Sequence, residues 1–454
     1  MSATVAVVGA GGAGLAALRG LTARGIPVAG YEQGSDVGGN WRYENDSGTS
    51  AAYLSLRTNV SRRRMQFREL PMPASCGDHP THAEMTAYFE TYANAFGLRR
   101  LIRFRTRVDR IDPAGNDGWR IHLCGGETIR HRAVVIANGH HWDPDWPTLP
   151  GDTTAAVTHA HAYRTPAPFA GRRVLIVGAG QSAVEIALDV YRVAARTLVT
   201  VRSGAHVLPR RLFGRPLDAL DGDLLNRLPW PVLNAMTRVL LRLAQHDDPG
   251  AHGFPAPAHR LLEHIPAVSS DLAPALRRGA IEIRPGVTAV DGATVRFADG
   301  RVDAVDAIVC ATGYRLTLPF LAPSLLAPQG TALPLYRRIV PLDLPGLYFI
   351  GLVDAPSGLL PIVERQSAWL ADLLVGAATL PDHRRMREAV DSGERRSRER
   401  FPGEPPHTIR CDPHAYMRVL ARDRRRARLR ALLAGRAPAW RPAAARAAHD
   451  AARR

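Results

Sequence analysis

A glycine-rich turn set between an apolar β-branched run and a helix-forming run constrains this chain more than any other feature, and it occurs twice. Thr4-Val5-Ala6-Val7-Val8 leads directly into Gly9-Ala10-Gly11-Gly12-Ala13-Gly14, and then into a helical stretch from Leu15 to Arg24. In such a turn the first glycine permits the sharp reversal. The second lets the backbone approach a pyrophosphate, and the third lets helix and strand pack closely. The phosphate rests on free N–H groups at the positive end of the helix. A second strand, Pro27 to Tyr31, ends in Glu32, whose carboxylate can accept hydrogen bonds from both hydroxyls of a ribose. Strand, glycines, helix, strand and terminal acid in register spell a dinucleotide-binding fold. They do not say which dinucleotide.

The second copy begins at Arg172-Arg173-Val174-Leu175-Ile176-Val177. It runs through Gly178-Ala179-Gly180-Gln181-Ser182-Ala183 into a helical Val184 to Tyr191. Ala183 stands where the third glycine would be, which the pattern tolerates with slightly looser packing. The next strand, Thr197 to Val201, is followed by Arg202, at the place where the first copy carries its ribose acid. A carboxylate repels a 2′-phosphate and a guanidinium binds it bidentately, so Arg202 points to NADPH; a solvated arginine is the plainer alternative. After the first copy, Gly38-Gly39-Asn40-Trp41 offers close backbone approach and an aromatic cover for a ligand.

Two further apolar runs, Ala133 to Ala137 and Ala304 to Ala311, read as strands that return to the first sheet around an inserted domain. Tyr348-Phe349-Ile350-Gly351 reads as its last strand, with Glu364 to Val375 as a helix behind it. The fold class expected is α/β, with two Rossmann-like dinucleotide-binding domains. Residues 1–165 and 305–380 form the first, discontinuous one, residues 166–304 the inserted one, and residues 381–454 an Arg-rich extension.

The net charge of +17 invites a polyanionic partner, but the chain has no lysine, and a run of arginines from Asp382 onward carries most of the excess. Nucleic acid is therefore not expected as a partner. Neither is a membrane, since no charge-free apolar run is long enough to span one, and a cytoplasmic location follows. Cys76, Cys124, Cys310 and Cys411 are scattered, without a CxxC pair, and His140-His141, His159 and His161 lack a completing carboxylate or thiol, so no metal is expected. Arg418 to Leu433 has helical composition, and the Ala, Arg and Pro-rich stretch from Arg436 reads as disordered. The stretch Phe213 to His264 carries no legible motif; a helical lid or a homodimer surface would both suit it.

In order and content these landmarks resemble the flavin-containing monooxygenases over roughly the first 380 residues. Beyond the two glycine turns, the resemblance is carried by Tyr53-Leu54-Ser55-Leu56-Arg57-Thr58-Asn59, Phe67 to Pro73, Ala311-Thr312-Gly313-Tyr314 and Glu364 to Trp369. His159 to Tyr163 matches the end of the family's linker signature. Thr153 and Ala155 replace the Phe and Gly at its start. The resemblance implies that Gly9, Ala10, Gly11, Gly12, Ala13, Gly14, Glu32, Asn40 and Trp41 bind FAD. It implies that Gly178, Gly180, Ser182, Ala183, Val184, Glu185 and Arg202 contact NADPH, and that Thr58 and Asn59 lie between the nicotinamide and the flavin. Asn59 is the implied catalytic side chain, because an amide can both donate to and accept from a flavin peroxide.

The implied chemistry is NADPH- and O2-dependent oxygenation of a nitrogen or sulfur centre, in an amine or a sulfide, through a C4a-hydroperoxyflavin. Baeyer–Villiger oxidation of ketones is the nearest alternative. A non-oxygenating NADPH-linked flavin oxidoreductase or redox sensor is the other. A disulfide reductase would need a redox dithiol that is missing here.

Overall fold

Val5–Val8 is buried along its whole length, and its alternate side chains enter two different cores. Val5 and Val7 pack with Leu15 and Leu18 of the helix Gly12–Thr22, whereas Ala6 and Val8 pack with Trp119 and Ile121 on the opposite side. A strand covered on both faces belongs in the middle of a parallel sheet. The computed structural model describes residues 4–115, 118–220, 230–261, 263–328, 333–401 and 409–434, and it places this strand there. The sheet runs Leu347–Phe349, Ala133–Ile136, Val5–Val8, Val28–Tyr31, Ile102–Arg103, all parallel. The helices Gly12–Thr22 and Leu360–Leu374 cover one face. A three-stranded antiparallel sheet, Val108–Pro113, Trp119–Leu123 and Thr128–His131, covers the other.

The second sheet repeats the plan. Its order is Ala156–His159, Ala307–Cys310, Arg173–Val177, Arg196–Thr200, Glu282–Arg284, again all parallel. Val174 and Ile176 pack against the helix Gln181–Val190, while Leu175 packs against the antiparallel strands Val287–Gly292 and Thr294–Phe297.

Two sequence expectations need correction. The run Ala304 to Ala311 does not return to the first sheet: Ala307–Cys310 pairs with Val174 to Val177 of the second. Asp306, just before it, accepts from the Arg173 backbone N–H at 2.8 Å and from its guanidinium at 2.6 Å, which pins the strand beside its true partner. Ala156–His159, placed in the first domain from sequence, also lies in the second sheet. Ala307–Cys310 is apolar throughout and carries no mark of which sheet it joins, so the sequence offered no means of choosing for it. The stretch Tyr53 to Arg57 forms a turn closed by the Leu56 N–H on the Tyr53 carbonyl.

The C-terminal extension folds back on the first unit as two helices, His383–Arg400 and Pro413–Leu433. The second is anchored by buried Leu420 and by Asp423, which accepts from the Tyr336 hydroxyl at 2.7 Å. The stretch from Arg436, expected to be disordered, lies outside the described residues. Within the Phe213 to His264 region a helix spans Trp230–Leu243. Among the described residues no helix is long and apolar enough to cross a membrane.

Candidate active site

The first glycine turn is built so that backbone, not side chain, surrounds the ligand space. Gly9 has φ +100°, and a Cβ added there would lie 2.7 Å from the Ala137 carbonyl oxygen. A Cβ on Gly14 would lie 1.9 Å from the Gly9 oxygen, so helix and strand meet at a distance only glycine allows. Gly12 is needed for packing, since a Cβ there would strike Leu360 at 2.7 Å, and Ala13 is buried beneath the turn. The N-cap residue Gly11 supplies no capping side chain. The first-turn N–H groups of the helix are thus open to an anion.

Glu32, at the end of the second strand, is buried and ties this turn together. One carboxylate oxygen accepts from the Ala10 N–H and the other from the Gly34 N–H, each at 2.7 Å. Burial raises its pKa, and these two backbone donors pull it back. A cavity of about 460 Å³ opens beside Glu32, and its wall includes Gly9, Gly11, Asn40, Trp41 and Phe89. Asn40 is held there by accepting from the Ala51 N–H at 2.7 Å, and the Trp41 carbonyl by accepting from Thr86 at 3.0 Å.

Asn138 and His140 line the same cavity, and none of their side-chain polar atoms has a hydrogen-bond partner among the described residues. Burial pushes the His140 ring down to about 3, so it is neutral at physiological pH. Neutral donors and acceptors without partners, around a glycine cradle with an acid at its edge, fit a flavin dinucleotide, whose ring system and ribityl chain are rich in both. Sequence reading missed Asn138 and His140. The available signal was their position just past the carboxyl end of the strand Ala133–Ile136, where open α/β sheets bind ligands.

The second turn copies the first with one relaxation. A Cβ on Gly178, with φ +138°, would lie 2.5 Å from the Ala311 oxygen, as Gly9 faces Ala137. Ala183, at the place of Gly14 in the first turn, is fully buried in the core of the second unit. Gly180 faces open space and supplies no capping side chain to the helix Gln181–Val190. Arg202 is exposed and has no ion-pair partner among the described residues. Ser182 is half-buried at the helix start, and Val184 is buried in the core. Glu185 has its carboxylate occupied, by the Tyr53 hydroxyl on one oxygen and by Arg210 at 2.6 Å on the other. Arg210 also donates to the Thr58 carbonyl at 3.2 Å, joining the two units at this point.

Thr58 is buried, whereas Asn59 is exposed and lines a different cavity of about 250 Å³, walled by both units. The structure therefore brings Gly9 to Gly14, Glu32, Asn40 and Trp41 around one space and puts Asn59 on another. The linker lies between them. Arg164, next to Tyr163, donates to the Ser50 carbonyl at 2.9 Å, and Tyr163 donates to Asp189 at 2.6 Å. At the unmatched start of the linker signature, the Thr153 hydroxyl donates to the Gly292 carbonyl at 2.9 Å, so this end is held by the strand pair Gly151–Thr153 and Val287–Gly292. Among the described residues no group of three His, Cys, Asp or Glu is placed to hold a metal.

Comparison with known proteins agrees with this geometry. The chain is 32% identical over 405 residues to the rat dimethylaniline monooxygenase [N-oxide-forming] 2, covering 84% of this chain and 75% of that protein. Its fold matches the S-allyl-L-cysteine S-oxygenase from Allium sativum with a TM-score of 0.69 and 25% identity, over 92% of this chain and 88% of the other. Cyclohexanone monooxygenase from Rhodococcus sp. Phi1, bound to NADP+, matches with a TM-score of 0.70 over 94% of this chain and 98% of the other; at 17% identity it shows a shared fold. The flavin-binding monooxygenase-like family matches over residues 2–425. The chain belongs to that family.

Proposed function

We propose that the protein is an NADPH- and O2-dependent monooxygenase that holds FAD on the first glycine turn and NADPH on the second, and oxygenates a nitrogen or sulfur atom of a small molecule. The observation that carries this reading is the pair of glycine cradles, one ending in Glu32 and the other in Arg202, each closed to any Cβ at its first glycine. The second sheet, with strands from Ala156–His159 to Ala307–Cys310, is the NADPH unit in this reading, and the first sheet the FAD unit. The relatives that form an N-oxide or act as an S-oxygenase support a soft nucleophile as substrate. No observation favours ketone oxidation, because the likeness to cyclohexanone monooxygenase is one of fold.

Bound FAD supplies electron transfer from NADPH and the activation of O2. The chain supplies placement. The uncapped start of Gly12–Thr22 receives the pyrophosphate, Glu32 the ribose, and neutral Asn138 and His140 the polar edge of the cofactor. Arg202 selects the 2′-phosphate. Arg210 couples the NADPH helix, through Glu185, to Thr58 beside Asn59. Asn59 both donates and accepts, and orients the reacting groups. Across a turnover one oxygen atom of O2 bonds to the substrate. The other leaves as water with the two electrons of NADPH.

The test is anaerobic reduction of the FAD-loaded enzyme by NADPH, then mixing with O2 and a sulfide, with sulfoxide counted per NADPH consumed. One oxide per NADPH is expected. For Asn59→Ala, NADPH oxidation continues while the product yield falls and H2O2 rises; an unchanged yield would remove Asn59 from this role.

A further inference from the structure

Asn59 shares its cavity with a carboxylate that the reading above does not use. Asp218 stands on the short turn Leu217–Leu220, and its Oδ2 accepts the Ser61 backbone N–H at 2.7 Å. Its Oδ1 is buried and meets no donor among the described residues. A buried carboxylate oxygen with no donor is costly to leave so, and a ligand donor reaching it gains a charge-assisted bond.

The rest of the cavity makes that oxygen stand out. Leu208, Leu212, Leu233, Met236 and Leu240 give it apolar walls. Of the other charged side chains that line it, Arg210 is paired with Glu185 at 2.6 Å, and Arg400 and Asp412 bring opposite charges. His79, which also lines the cavity, is shifted by burial toward its neutral form. Asp218 thus presents to this space a carboxylate oxygen that no donor among the described residues reaches. The Ser61 contact holds it two residues along the chain from Asn59, or within about 7 Å of backbone.

We propose that this cavity is the substrate site, and that it selects molecules carrying an ammonium group, anchored at Asp218, in addition to the uncharged sulfur or nitrogen that receives oxygen. The inference rests on the monooxygenase reading. The two groups must be different atoms. Oxygen transfer to sulfur or nitrogen uses a lone pair on that atom, and an ammonium nitrogen has none. Asp218 therefore holds the molecule by its inert end and leaves the soft atom, a few bonds away, to the Asn59 side.

The probes are 2-(methylthio)ethylamine, protonated at neutral pH, and methyl propyl sulfide, its uncharged isostere, titrated into the FAD-loaded enzyme by calorimetry. The ammonium sulfide is expected to bind about tenfold or more tighter. In Asp218→Asn, which keeps an acceptor for the Ser61 N–H, the ratio falls to near one. A wild-type ratio near one overturns the proposal whatever the variant does, and so does a preference that survives the substitution. Asp218→Ser serves if the asparagine variant fails to fold, as judged by its melting curve. Sulfoxide formation from the same two sulfides separates the two claims: a binding preference without oxygenation keeps the anchor and sinks the monooxygenase reading, while oxygenation without preference does the reverse.

Discussion

Gly14 and Ala183 occupy the same place in the two turns, yet the structure makes them differ in what they tolerate. Gly14→Ala puts a methyl 1.9 Å from the Gly9 oxygen, so the helix must move off the strand. The expected outcome is protein purified without FAD, read from the loss of flavin absorbance. Ala183→Gly removes a buried methyl and costs about 1 kcal/mol of helix stability, with NADPH oxidation retained. Glu32→Gln is another sharp test. Glutamine has one acceptor oxygen, so either the Ala10 or the Gly34 N–H must face its amide NH2. A loss of roughly 1–3 kcal/mol is expected in denaturant unfolding, together with weaker FAD retention.

The matching unit at the scale of elements is strand, uncapped helix and strand, and in the proposed reading the charged residue past its second strand sets which dinucleotide it takes. Glu32 follows Val28–Tyr31, and Arg202 lies just beyond Arg196–Thr200. Since Arg202 is exposed and unengaged, Arg202→Gln should leave stability untouched while raising the KM for NADPH tenfold or more. The KM for NADH should hardly move, and steady-state kinetics with both nucleotides decides it. Equal losses with both would mean that Arg202 does not read the 2′-phosphate. These elements were legible in the sequence because period, glycine spacing and terminal residue all lie within one local stretch. The turn at Tyr53 was not. Its apolar residues suggest a strand, but Tyr53 is drawn into the second core, where its hydroxyl reaches Glu185, a partner 132 residues away.

Across the whole molecule, a second buried carboxylate besides Asp423 ties down the C-terminal extension. Asp372, on the helix Leu360–Leu374, has a side chain with no exposure and pairs with Arg24 on one oxygen and with Arg424 and Arg428 on the other. It therefore joins two helices and the turn that follows Gly12–Thr22. Asp372→Asn should cost on the order of 2 kcal/mol and lower the melting temperature by several degrees. A fully buried pair would lose more, but these guanidiniums keep 31% to 45% of their side-chain surface in water. An unchanged melting curve would show that the extension is held by Leu420 and its neighbours instead.

By itself the sequence determined that there are two dinucleotide folds, where each begins, and which charged residue follows the second strand of each, because those signals are short-range and chemically specific. Only the tertiary structure decided that Ala307–Cys310 belongs to the second sheet, that Asn138 and His140 face the first cavity, and that Asn59 opens onto another beside Asp218. Those facts depend on which apolar strands pair and which distant loops meet. Uniformly apolar strands fit either sheet, and the choice is made by the packing of the whole chain.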